Sequence, residues 1–178
     1  MTKLTELRTI RNRLNVPLIA GILTQLIFGR RVLDIRPVIA QPSPAQLNSP
    51  YAPSPDFSQL QQSLERHGFT VNLALPPQPG SYGLLQASTR TIWINPVVFS
   101  LEISVPTLVH EAVHAAQLCS GTADTLRSLD LNLEPYAPAY RLYMRYTGTR
   151  RILEMEAYTI QARADRIEYV ARLLNSRC

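Results

Sequence analysis

Residues 108–117 read Leu108-Val109-His110-Glu111-Ala112-Val113-His114-Ala115-Ala116-Gln117, and this stretch decides the fold. Apolar residues recur at helical spacing through Leu108, Val109, Ala112, Val113, Ala116 and Leu118. Ser104 and Pro106 give start signals and Gly121 a stop, so the stretch is predicted to be one helix. Ala112, Val113, Ala115 and Ala116 leave it little polar surface, which places it inside a domain rather than on the outside.

The polar residues on that helix are spaced for chemistry. His110 and His114 are four apart, so their imidazoles lie one turn above each other on one face and can grip a single ion. Glu111 stands about 100° around the helix from His110, within reach of a water on that ion without being forced to ligate it. With this chain's His and Glu frequencies, a chance match to His-Glu-x-x-His arises about 0.2% of the time, so the pattern is treated as a site. Two imidazoles alone make a weak site, and a third ligand from elsewhere completes a centre that keeps one position open.

The rest of the chain supplies one domain around this helix. With 178 residues, 46% hydrophobic and 17% charged, the chain can bury a core but is short for two full domains. Pro42, Pro44, Pro50, Pro53 and Pro55 make 41–55 a linker between an N-terminal segment, 1–40, and a domain over 56–178. Asp56 is an acceptable N-cap for a helix running to His67, with Gly68 as its stop and His67 as a helix-end cation. Strand-like runs follow at 69–75, 82–87 and 91–95, the last two joined by the short turn Ser88-Thr89-Arg90 and so expected to be antiparallel neighbours. A tyrosine-rich segment with Tyr136, Tyr140, Tyr143 and Tyr146 turns helical after Pro138. Leu153, Ala157, Ile160, Ala164, Ile167, Ala171 and Leu174 then form one apolar stripe along a long helix over 150–175. The fold class is α+β, a short, mostly antiparallel sheet packed on the histidine helix and a long C-terminal helix.

The stretch 108–117 resembles the active-site helix of the zincin metallopeptidases. The resemblance covers that helix and a downstream one, not the whole chain. No third histidine follows at metzincin spacing, since His114 leads into Ala115-Ala116-Gln117-Leu118-Cys119-Ser120. A carboxylate is therefore expected, and Glu154-Met155-Glu156-Ala157-Tyr158 is similar to the gluzincin Glu-x-x-Ala pattern. That alignment makes Glu154 the third metal ligand beside His110 and His114. Glu156, nearer the apolar stripe and directly followed by alanine, is the alternative, and Glu134 a remote one. The chain departs from those groups at Tyr158, where an aspartate or asparagine often sits, so the resemblance assigns no residue here to orient a histidine.

The resemblance implies a zinc-dependent peptidase acting on a peptide or protein substrate. Its zinc-activated water would be served by Glu111 as general base. It also implies a sheet edge that binds extended substrate by strand addition, for which 91–95 is the candidate. Tyr143, Tyr146, Tyr158 and Arg150 are candidate donors to a developing oxyanion. The other reading is a non-catalytic zinc-binding or partner-binding module that keeps the motif.

Eighteen Lys+Arg against 13 Asp+Glu give a net charge of +5 with no dense basic run and no aromatic-basic RNA-binding pattern. No specific nucleic-acid partner is expected. Lys3, Arg8, Arg11 and Arg13 precede an apolar run over 16–28, which at about 13 residues is too short for a spanning helix of roughly 20. A signal or anchor, an interfacial helix touching a membrane surface through 1–36, and an ordinary packed helix all stay open. Cytoplasmic, membrane-associated and secreted or periplasmic locations stay open with them. Cys119 and Cys178 match no metal spacing; they are free thiols, or one bridge from the C-terminal tail to the end of the histidine helix in an oxidising compartment.

Overall fold

The computed structural model of the protein describes residues 52–178. The basic and apolar segment 1–40, its membrane-surface contact and linker residues 41–51 lie outside the described residues. Helix α1 (Pro55–Arg66) starts where Ser54, not Asp56, caps it: Ser54 Oγ accepts from Phe57 N at 3.3 Å and Pro55 takes the first helical position. Asp56 sits in the first turn instead, where its charge suits the helix dipole. The helix ends at Gly68, whose φ of +79° is left-handed backbone that glycine adopts without strain.

Three short strands follow, β1 (Thr70–Leu73), β2 (Gly83–Gln86) and β3 (Thr91–Ile94). Their spatial order is β1-β3-β2, with β3 parallel to β1 and antiparallel to β2. The sheet is thus mixed rather than mostly antiparallel, although the pairing of the last two strands is as their short turn requires. Stretch 91–95 is not an edge: both flanks of β3 are occupied, and β2 is the outer strand on the side of the histidine helix. Ile92 and Ile94 on β3 are fully buried, while Thr91 and Trp93 alternate outward.

After the single turn α2 (Val97–Ser100) comes α3 (Ser104–Ser120), the histidine helix. It is buried nearly all round, from Leu108 to Leu118, as a helix apolar on every face must be. It packs on the sheet and on α1, α5 and α6, so the core is built around it. Phe57, Leu60 and Leu64 of α1 and Leu174 near the C-terminus close that core with Leu108, Val109 and Val113.

The tyrosine segment forms a 3-10 turn, Ala137–Ala139, then the short helix α4 (Tyr140–Tyr143). The helical stretch expected over 150–175 is divided into α5 (Gly148–Gln161) and α6 (Arg166–Arg177). The break is stapled by Arg163, which donates to Asp165 at 2.7 and 3.1 Å and stands 4.4 Å over the Tyr169 ring. Cys119 at the end of α3 is bonded to Cys178, with Cα atoms 5.0 Å apart. Among the described residues no helix is long and apolar enough to cross a membrane.

Candidate metal centre

Helices α3 and α5 pack face to face and bring His110, His114 and Glu154 together. His110 Nε2 lies 3.2 Å from His114 Nε2 and 3.3 Å from Glu154 Oε2, and His114 Nε2 lies 3.9 Å from the same oxygen. One ligand atom from each residue falls within 4.8 Å of the others, close enough to hold a metal ion. Ala157, one turn beyond Glu154 and fully buried, has no side chain beyond Cβ to keep the two helices apart.

Each imidazole is held from behind by a carboxamide. His110 Nδ1 is 2.9 Å from Gln161 Oε1, and His114 Nδ1 is 2.7 Å from Gln117 Oε1. An amide oxygen only accepts, so both rings donate from Nδ1, which leaves Nε2 as the ring atom turned to the centre. The orientation of Gln117 is itself determined, because its Nε2 donates to Leu153 O at 3.0 Å and to Glu156 Oε2 at 2.8 Å. Glu156 therefore does not face the centre. Its carboxylate accepts from Gln117, from Ser128 Oγ and from the backbone N–H groups of Leu129 and Asp130. Glu134 is exposed and takes no part.

Glu111 lies beside the triad and is buried. Burial pushes its carboxyl up to about 7, against the pull of His110; Glu154 pushes the same way, and a hydrogen bond with the Leu85 backbone opposes it. A Cβ at position 83 would lie 2.6 Å from Glu111 Oε1, so only glycine lets β2 come this close to the carboxylate. Burial lowers His114 to about 4, helped by His110. Burial also disfavours the charged form of His110, but its hydrogen bond to Glu154 and the two carboxylates prevail and raise it. For Glu154 burial works upward, yet the hydrogen bond from His110, His114 and Arg150 hold it low, so it is the anionic ligand atom of the set.

The triad opens into a cleft of about 1030 Å³. One wall is the outer strand β2 with the turn before it, from Gln78 to Leu85; the other carries Arg145, Tyr146, Arg150 and Tyr158. Of the four candidate oxyanion donors, Tyr146, Arg150 and Tyr158 line the cleft, whereas Tyr143 is buried away from it. The Tyr158 ring meets His110 edge-on at 4.6 Å. It stands beside His110 at the position where the resembled groups often carry an aspartate or asparagine, and Gln161, one turn further along α5, holds the His110 ring.

Sequence reading did not find Gln117 and Gln161. The available signal for Gln117 was a polar residue on an otherwise apolar helix, three residues after His114 and so on the same face. Comparison with known protein families, with curated proteins and with solved structures finds no match to the chain, so the site stands on its own geometry.

Proposed function

We propose that the protein is a zinc-dependent metallopeptidase of gluzincin type, with His110, His114 and Glu154 as zinc ligands and Glu111 as general base. One observation carries this reading: the spacing of the three donor atoms. Ligand atoms 2.0–2.2 Å from one tetrahedral zinc lie about 3.3–3.6 Å apart. The separations of 3.2, 3.3 and 3.9 Å come within a few tenths of an ångström of that. Two neutral imidazoles and one carboxylate are a donor set suited to zinc, and three protein ligands leave a position for reaction.

Zinc bound there supplies a Lewis acid that acidifies a coordinated water and polarises a substrate carbonyl. The chain's own groups do the rest. Gln161 and Gln117 keep the two imidazole Nε2 atoms aimed at one point. Glu111, in a site that shields it from bulk water, accepts the proton of the attacking water and delivers it to the leaving amine. The outer strand β2 lines the cleft with Gly83, Leu84 and Leu85 and offers backbone groups on its free flank, so an extended peptide can add there as a fourth strand. Gly83 brings that strand against Glu111, placing a peptide bond bound along it beside the base.

Metal analysis of purified protein tests the centre: about one zinc per chain is expected for wild type, with strong loss in His114→Ala. Full retention by His114→Ala would sink the reading. Glu111→Gln is expected to keep zinc and lose hydrolysis of casein or a peptide library. A wild type that holds zinc and cleaves nothing would favour the non-catalytic zinc-binding module.

A further inference from the structure

The charged groups of the cleft are unevenly placed. Its acids are Glu111, Asp124 and Glu154, and its bases are Arg145 and Arg150. Glu154 is committed to the ligand cluster and Glu111 is buried at the floor, which leaves Asp124 as the acid on a rim. Both arginines are exposed on the other wall, Arg145 in the connection from α4 to α5 and Arg150 in the first turn of α5. Arg150 is the closer to the centre: its Nε is 3.7 Å from Glu154 Oε1, while Glu154 Oε2 faces the two histidines. Its guanidinium stands 4.6 Å over the Tyr146 ring, a stacking that limits its orientations. Among the described residues its terminal nitrogens have no hydrogen-bonding partner; its side chain is 65% exposed and lines the cleft. Were Glu154 to ligate a divalent ion, Arg150 would also lose most of the counter-charge it now faces.

A planar fork whose orientations are limited by stacking, one side chain away from the proposed metal site and with its terminal nitrogens unpartnered, fits a carboxylate. We infer that the preferred substrate is a peptide bearing a carboxylate close to the scissile bond, received by Arg150 with Arg145 behind it. The carboxylate can be an acidic side chain or the free C-terminus of the peptide. This rests on the peptidase reading above.

Two matched peptide pairs separate the sources on the zinc-loaded full chain. One pair differs by Glu against Gln next to the cleaved bond, the other by a free against an amidated C-terminus. The carboxylate member of at least one pair is expected to be cleaved at least about tenfold better in kcat/KM, and that pair names the source. Arg150→Gln, at an exposed position where folding is not at stake, is expected to bring the ratio near one, and Arg150→Lys to restore part of it. Ratios near one for both pairs in wild type overturn the proposal. So does a ratio that survives Arg150→Gln while both members slow equally, because Arg150 would then act on every transition state alike. If nothing is cleaved, the peptidase reading fails separately. Fluorescence anisotropy of the same peptides on zinc-loaded Glu111→Gln then decides: tighter binding of the carboxylate members, abolished by adding Arg150→Gln, supports the inference, and equal binding overturns it.

Discussion

Glu154 and Glu156 lie two positions apart, hence about 200° apart around α5, and the fold uses them in opposite ways. Glu154 turns its Oε2 to the two histidines, while Glu156 turns away to collect Gln117, Ser128 and two backbone N–H groups. Glu154→Gln is therefore expected to lose metal with little change in melting temperature of the metal-free protein. Glu156→Ala leaves the buried Leu129 N–H without an acceptor and takes from Gln117 one of its two acceptors, and is expected to cost about 3 kcal/mol, read by denaturant titration. A second prediction concerns Glu111, whose carboxyl is raised to about 7 by burial. Below the unfolded value near 4.5 both states are protonated, so the group has no effect on stability. Between there and 7 the unfolded chain gives up its proton first, and stability falls as pH rises. Glu111→Gln mimics the protonated form, so metal-free Glu111→Gln should exceed metal-free wild type by up to about 3 kcal/mol at pH 8 and match it at pH 4. The histidine pair and Glu111 were legible in the sequence because their relation is contained in one helical turn. The choice between Glu154 and Glu156 was not, because it depends on which side of α5 meets α3.

At the scale of elements, Gln117 links three of them. It joins His114 on α3 to Leu153 and Glu156 on α5, and through Glu156 to the loop around Leu129. Gln117→Leu fills the same space without the bonds. It is expected to weaken metal binding by about 10- to 100-fold in a chelator competition while His110 keeps its own partner in Gln161. Helix periodicity made α1, α3 and α5 readable in sequence, since each buries one stripe or more. The break between α5 and α6 was hidden because Ile160 and Ile167, seven apart and both buried, keep the stripe going across it. The strand order was hidden for a different reason. Alternation tells which face of a strand is inward but not which neighbour it takes, and β3 enters between β1 and β2 only through the path of the chain.

At the scale of the molecule, the bond between Cys119 and Cys178 closes 59 residues of sequence, including the loop, α5 and α6, onto the end of α3. A loop of that length removes chain entropy from the unfolded state worth about 4 kcal/mol. Cys178→Ser, or reductant added to wild type, is expected to lower stability by about this amount in urea, with no further loss when reductant is added to Cys178→Ser. Sequence left this pair open because spacing alone does not bring two thiols within bonding distance; the packing of α6 on α3 does.

Helix α3 is at once the centre of the core and the carrier of His110, Glu111 and His114, so a substitution there disturbs stability and the candidate metal site together. Neutral drift has little room on it, and even Ala112, Ala115 and Ala116 are fixed by lack of space. The cleft walls are free of that constraint: the turn from Gln78 to Tyr82, the α4–α5 connection with Arg145 and the first turn of α5 with Arg150 are largely exposed and carry little of the core. Descendants of this chain would thus diverge along the cleft long before they diverge at the candidate metal site. If the proposed peptidase activity holds, an experimenter seeking new substrate preference would randomise those two walls and leave the spine untouched.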